Sequence, residues 1–231
     1  MKIGIIGAMN EEIELMKQDL KLKQTTVTTK ISFYEGVLEG KEVVLCKSGV
    51  GKVNAAITSQ VLVNKFQVDC IIFTGVAGAL DPILEIGDIV ISTTALQHDI
   101  DASPLGFKRG EIPMFEHPSV FEADTTLVSI AEKAASKLEG VSSIKGCIVS
   151  GDQFIANEET VKVLHSEFGG KCVEMEGSAV AQVAMLNDIP YVIIRSMSDK
   201  ANGEATMSFT EFTEVAAKQS YLIVKEMVKH L

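Results

Sequence analysis

The sequence predicts a single α/β domain, and three observations carry that prediction. Short, mostly apolar runs such as Lys2–Gly7, Cys70–Thr74 and Tyr191–Asp199 alternate with segments of helical spacing. That is the βα punctuation of a sheet covered on both faces. Several runs end on acids: Tyr191–Ile194 passes into Arg195-Ser196-Met197-Ser198-Asp199, Lys2–Gly7 into Glu11 and Glu12, and Cys172–Gly177 carries Glu174 and Glu176 into a helix. Open α/β sheets bind ligands beyond the carboxyl ends of their strands, so acids at three such ends predict one acid/base site. The 231 residues, 46% of them hydrophobic, suffice for one large core.

Taken in order, Lys2–Gly7 reads as a buried strand, and Asn10 is placed to cap a helix over Glu11–Leu20 whose first turn is acidic. Residues 26–47 read as two or three strands joined by polar turns and ending in Val43-Val44-Leu45-Cys46. Ser48-Gly49-Val50-Gly51 then opens a helix to Lys65, and Cys70–Thr74 is a second buried strand that Gly75–Leu80 breaks. Gly87–Ser92 starts the next extended segment. Residues 97–120 hold three prolines and two glycines, an irregular excursion too long for an ordinary connection. Helical spacing returns over Thr125–Leu138, Lys145–Ser150 is a strand, and Asn157-Glu158-Glu159 begins another helix. An Ala-rich helix over Glu176–Asn187 is closed by Asp188-Ile189-Pro190. After Asp199 a Gly-containing loop leads to Ser208, the expected N-cap of an amphipathic helix that reaches the terminus. There is no repeat, low-complexity tract or linker.

Composition narrows the function. A net charge of −10 and a pI near 4.9 repel nucleic acid and anionic membranes. Polar residues interrupt every apolar stretch before it could cross a bilayer, and the amino terminus lacks a basic segment leading into an apolar run. Cys46, Cys70, Cys147 and Cys172 lie singly in apolar runs, which favours reduced thiols over disulfides or zinc. The expectation is a soluble cytoplasmic protein with neither a nucleic-acid nor a membrane partner.

The local motifs are less specific. Gly49-Val50-Gly51 lacks the third glycine of a dinucleotide loop, and Cys46 and Val53 break a phosphate-loop match, so tight turns explain these glycines better. Small residues at Val76, Ala77 and Gly78 still leave backbone accessible to a ligand. His98, Asp99 and Asp101 have no fourth partner at metal-ligand spacing, and their segment reads as exposed, so no metal is expected. Glu174 reads as an acidic helix start. Glu176, beside Gly177 at a strand end, can accept two hydrogen bonds from a diol, which suits ribose. Met9, Phe154, Met175 and Phe209 are candidate stacking groups through their nearness to the strand-end site.

Together, Gly7-Ala8-Met9-Asn10-Glu11-Glu12, Gly75-Val76-Ala77-Gly78, Ser150-Gly151-Asp152-Gln153-Phe154-Ile155, Val173-Glu174-Met175-Glu176-Gly177 and Arg195-Ser196-Met197-Ser198-Asp199 resemble the bacterial 5'-methylthioadenosine/S-adenosylhomocysteine nucleosidases, in order from Met1 to Leu231. The resemblance implies one nucleoside phosphorylase-like domain over residues 1–231, a central mixed sheet flanked by helices, a homodimer and no cofactor. It implies that Asp199 protonates adenine N7 with Ser198 holding its carboxyl group, and that Glu12 handles the attacking water with Arg195 nearby. Glu176 would grip the ribose hydroxyls, Met175 pack under the sugar, Phe154 stack on adenine and Ile155 supply backbone hydrogen bonds. Met9, Val50 and Phe209 would line the 5'-thio pocket, joined by Ala102, Leu105 and Pro113 of the neighbouring subunit. Val76 departs from the family, many of whose members have Ser there.

The chemistry agrees with that assignment. Breaking an N-glycosidic bond builds positive charge on ribose and negative charge on the base, so an acid at the base and carboxylates around the sugar both stabilise the transition state. Asp199 must then carry a proton, which requires a raised pKa, while Glu12 must be able to accept one. The expected products are adenine with methylthioribose or S-ribosylhomocysteine, and 5'-deoxyadenosine is a further expected substrate. A purine nucleoside phosphorylase is the nearest alternative, but it needs a phosphate site, and the chain has two arginines, Arg109 and Arg195, while Glu12 repels anions. A non-catalytic nucleoside-binding protein would need neither Glu12 nor Asp199.

Overall fold

The computed structural model describes residues 1–201 and 205–231. Its strands are β1 (Lys2–Gly7), β2 (Lys21–Thr28), β3 (Ile31–Leu38), β4 (Lys41–Lys47), β5 (Cys70–Ala79), β6 (Ile89–Gln97), β7 (Val120–Glu122), β8 (Ser143–Ser150), β9 (Gly170–Glu174) and β10 (Tyr191–Asp199). The α-helices are α1 (Asn10–Asp19), α2 (Lys52–Val61), α3 (Thr125–Ala135), α4 (Glu158–Phe168), α5 (Gly177–Leu186) and α6 (Ala205–His230).

All ten strands belong to one mixed sheet in the order β10-β6-β8-β9-β5-β1-β4-β3-β2, with β7 on β6. β10 also pairs with β5, so β5, β9, β8, β6 and β10 close a ring of pairings from which β1, β4, β3 and β2 extend. Closure removes the edges of β5 and β10, and every residue of both strands is buried. The parallel pairs β1–β5 and β5–β10 bring three carboxyl ends to the same side, which is what places β1, β5 and β10 around one site. α1 and α3 pack on α6, and α2 packs on α5.

The sequence reading needs correction at several boundaries. β5 does not break at Gly75 but runs to Ala79, because β10 pairs with it on one side and β9 meets Gly78 and Ala79 on the other. These glycines serve close approach inside a strand: a Cβ on Gly75 would collide with Glu12 Oε1 and Arg195 Nη1. The strands between α1 and α2 number three and begin at Lys21, five residues earlier than the apolar pattern suggested, because β2 is an exposed polar strand with little hydrophobic signature. Asn10 is not the cap of α1; Met9 is, and the Glu12 carboxylate takes the Ala8 and Met9 N–H groups. Ser208 lies inside α6, which starts at Ala205, and Gly203 of the expected loop lies outside the described residues. Asn157 does cap α4 by accepting from the Thr160 N–H at 2.8 Å.

Residues 97–120 are irregular as expected, apart from the last residue of β6, a turn of 3-10 helix at Ser103–Leu105 and the start of β7. The segment is exposed from Asp101 to Gly106 except at the half-buried Ala102, as its polar residues suggested, but His98 itself is 3% exposed. Among the described residues no helix is long and apolar enough to cross a membrane. The four cysteines are free thiols, and burial pushes the pKa of Cys46, Cys70, Cys147 and Cys172 up.

Candidate active site

Each acid of the site is held by the backbone where a strand gives way to a loop or helix. At the end of β1, Glu12 turns back from the first turn of α1 so that Oε2 accepts from the Ala8 N–H at 2.6 Å and the Met9 N–H at 2.9 Å. Its Oε1 accepts from the Val76 N–H of β5 at 3.0 Å. Burial raises the pKa of Glu12, opposed by the Arg195 charge and by these three N–H groups. The result is a fixed carboxylate whose basicity exceeds that of an exposed one.

Asp199 ends β10 just after a register shift against β5. The irregularity aims its side chain across the sheet end. Oδ1 accepts from the Ala201 N–H at 2.7 Å, and Oδ2 accepts from the Ser198 hydroxyl at 2.9 Å. Gly78 leaves room for the carboxyl, since a Cβ there would stand 2.9 Å from Oδ1. Burial raises the pKa of Asp199 against those two hydrogen bonds, the direction a proton donor needs.

Glu174 and Glu176 close the third side. Glu176 Oε1 accepts from the Gly51 N–H at 2.7 Å, across 125 residues of chain. Its pKa is pushed up to about 8, first by burial and then by the neighbouring Glu174 charge. Glu174 accepts from the Gly177 N–H at 2.8 Å and 2.9 Å, from the Ser150 hydroxyl and from Arg195 Nη2. Arg195 is 1% exposed, lies 4.0 Å above the Phe73 ring and stands 3.9 Å from Glu176 Oε2. Burial alone would lower the pKa of Arg195, but Glu174, Glu12 and Glu176 outweigh it and raise it. This one guanidinium holds a cluster of carboxylates together beneath the site.

These groups surround a cavity of about 300 Å³. Glu12, Glu176 and Asp199 face it, with Val76, Ala77 and Gly78 forming part of its wall. Met9, Val50, Phe154, Ile155, Met175 and Phe209 line the rest. Phe154 is 49% exposed and meets Phe209 edge to face at 5.6 Å, leaving an aromatic face for a planar ligand. Ser198 and Arg195 act from behind the wall, through Asp199 and the glutamates. Ala102, Leu105 and Pro113 are not brought to the cavity by their own chain, and Leu105 is 74% exposed.

Sequence reasoning missed Ala8, Gln153, Val173 and Glu174, which also line the cavity. The first three lie inside the motifs quoted above, but the resemblance implies roles only for their neighbours. Glu174 does cap the start of α5, as its position suggested, but it is also the direct partner of Arg195. The signal was available: a second acid two residues before Glu176, on a strand, with one arginine on the adjoining strand-end motif.

The chain matches the family model described as "Phosphorylase superfamily" over residues 2–229. It is 45% identical over 231 residues to the 5'-methylthioadenosine/S-adenosylhomocysteine nucleosidase of Halalkalibacterium halodurans, covering 100% of this chain and 99% of that one. Among solved structures it resembles the Neisseria meningitidis nucleosidase in complex with methylthio-immucillin-A, with a TM-score of 0.95 and 41% identity over 100% of this chain and 99% of that one. The Colwellia psychrerythraea nucleosidase in complex with adenine gives a TM-score of 0.95 and 38% identity, covering 100% and 96%.

Proposed function

The chain belongs to the 5'-methylthioadenosine/S-adenosylhomocysteine nucleosidases of the phosphorylase superfamily, and from that premise we propose how its site breaks the N-glycosidic bond of both nucleosides by hydrolysis. The products are adenine with 5-methylthioribose or S-ribosylhomocysteine. One observation carries the mechanism: two buried acids held in different ways, Glu12 and Asp199, line one cavity together with Glu176, the N-cap residue of α5. Asp199 donates a proton to adenine N7 as the bond to ribose lengthens. Glu12, which accepts from backbone N–H groups through both oxygens, takes the proton of the attacking water. Glu176 accepts from the ribose hydroxyls, Met175 packs beneath the sugar, Phe154 stacks on adenine and Ile155 presents its backbone to the base. Met9, Val50 and Phe209 surround the 5' substituent. Because base and ribose supply these contacts, 5'-deoxyadenosine is a further substrate. The four free thiols suit a reducing cytoplasm.

Among the described residues, neither arginine is free to hold the anion that phosphorolysis needs. Arg195 is buried under the site and paired with Glu174, while Arg109 pairs with Glu167 at 2.6 Å. Incubation with methylthioadenosine, with and without phosphate, tests this. Free methylthioribose in both samples is expected, and its 1-phosphate would overturn hydrolysis.

At pH 9, where Glu176 is ionised, Glu176→Gln is expected to weaken methylthioadenosine by roughly 10- to 100-fold, the value of a hydrogen bond or two to a charged acceptor, while leaving adenine within a few-fold. The pH dependence has a definite sign. With its pKa raised to about 8, Glu176 ionises as pH rises through that value, so the preference for nucleoside over adenine grows from pH 7 to 9 in the wild type and stays flat in the variant. Calorimetry with adenine and with a slowly turned-over nucleoside measures both. Equal weakening of the two ligands rules out the ribose role.

The active unit is a dimer in which Ala102, Leu105 and Pro113 complete the 5' pocket of the other subunit. Leu105 and Met114 are 74% and 88% exposed on a loop with three prolines, and such apolar groups require cover. Leu105→Glu should raise the KM for methylthioadenosine by about 10-fold or more, the order expected for a charge brought into an apolar pocket, with little change in adenine affinity. Sedimentation and kinetics together decide it; a fully active monomer, or unaltered kinetics in the variant, defeats the shared pocket.

A further inference from the structure

Outside the acids, a closed ring of polar contacts ties the start of α2 to the segments that follow β6 and β8, which are already joined to each other by the Gln97–Ser150 pairing and by the His98 N–H donating to the Ser150 carbonyl at 2.9 Å. The Lys52 N–H donates to Asp152 Oδ1 at 2.8 Å, the Asp152 N–H donates to Asp99 Oδ2 at 2.9 Å, and Lys52 Nζ returns to Asp99 Oδ1 at 2.5 Å. The ring is backed by Lys52 Nζ donating to Gln97 Oε1 at 3.0 Å and by Gln97 Nε2 donating to Gln182 Oε1 at 2.7 Å on α5. The side chains of Lys52 and Asp99 are 15% and 16% exposed, so this pair is shielded from the screening that makes surface pairs weak.

The ring's neighbours in sequence give it a function. Gly51, next to Lys52, donates the N–H that holds Glu176. Gln153, Phe154 and Ile155, next to Asp152, line the cavity on the side proposed for adenine. Asp99 leads into the loop that carries Ala102 and Leu105. We infer that Lys52, Asp99 and Asp152 form a clasp that fixes the distance between the ribose-gripping Glu176 and the adenine-stacking loop, making Lys52 and Asp99 positioning residues for the reaction. The inference rests on the nucleosidase reading above. Gly51 has a φ of +100°, and a Cβ there would stand 3.2 Å from Asp152 Oδ1, so the close approach of α2 to Asp152 depends on that glycine.

A clasp of this kind does not strengthen either half of the ligand alone. It sets the geometry in which both halves are bound at once, and a misplacement near 1 Å can cost about 100-fold in rate. Asp99→Asn and Lys52→Met are therefore each expected to lower kcat/KM for methylthioadenosine by about 10- to 100-fold. Adenine and 5-methylthioribose, used separately as inhibitors, should keep their inhibition constants within about threefold. The double variant should be no worse than either single one, because each breaks the same ring. Lys52→Arg, which keeps the charge, should recover part of the loss. Thermal melts accompany each variant, and if Lys52→Met does not fold, the near-isosteric Asp99→Asn carries the same comparison. Parallel weakening of adenine and nucleoside, additive losses in the double variant, or unchanged kcat/KM in folded variants overturns the clasp while leaving the enzyme's activity intact. A wild-type protein that releases no adenine from methylthioadenosine overturns the nucleosidase reading, and the clasp with it.

Discussion

Asp199→Asn is expected to lower turnover of methylthioadenosine by about 10²- to 10⁴-fold, the usual worth of general acid catalysis, while the nucleoside still binds within a few-fold of wild type. The substitution suits the test because its surroundings tolerate an amide. The Asn oxygen can keep the Ala201 N–H, and its NH₂ group can donate to the Ser198 hydroxyl, which is free to reverse its role. The stability prediction has the opposite sign to the activity prediction. Asp199 has a folded pKa raised by burial, so its contribution to stability is fully present below the unfolded carboxylate value and is lost as pH rises through the folded one. Removing the charge should therefore leave Tm unchanged or higher at neutral pH, with the difference vanishing in acid. Single-turnover adenine release measured beside a melting curve separates the two effects. Near-normal turnover by the variant would remove Asp199 from the mechanism.

The strand-end acids were legible because burial leaves a strong trace in sequence. β10 is buried at every position, and an Arg, two Ser and an Asp within so apolar a run have few explanations other than a site. β5 shows the limit of the same logic. Gly75-Val76-Ala77-Gly78 reads as a break by local propensity, yet pairing with β10 and β9 keeps it extended, and its small residues serve the approach of Glu12, Arg195 and Asp199. Contacts between distant segments left less trace. The Glu176 bond to the Gly51 N–H and the ring through Lys52, Asp99 and Asp152 span 125 and 100 residues at their longest, and no local period encodes them. His98 was misjudged for the same reason: Asp99 and Asp101 made its segment look exposed, while Gly151 packs against its ring. Glu174 was half legible, its role at the start of α5 being local and its pairing with Arg195 not.

Glu12→Gln is expected to damage both activity and stability, and the reason lies in the count of donors around it. The carboxylate accepts three backbone N–H groups, those of Ala8 and Met9 on one oxygen and that of Val76 on the other. A glutamine has one oxygen and must turn its NH₂ group toward at least one of these donors. Its better orientation keeps Ala8 and Met9 and abandons Val76, leaving a buried N–H unsatisfied at a cost of about 1–3 kcal/mol. At roughly 2–4 °C per kcal/mol for a chain of this size, the loss is visible in a melting curve. It also removes an attraction that helps hold Arg195 charged beneath the site. Relief of the burial that raises the pKa of Glu12 acts the other way, but it supplies no partner for the abandoned donor. Turnover should fall by about 10²- to 10⁴-fold because no group remains to take the proton of water, while adenine, whose proposed contacts are Asp199, Phe154 and Ile155, keeps most of its affinity. The paired outcome discriminates between the two acids: Asp199→Asn loses rate without losing stability, and Glu12→Gln loses both. A folded Glu12→Gln variant that melts as the wild type does and still releases adenine at a comparable rate would mean that the water is activated elsewhere.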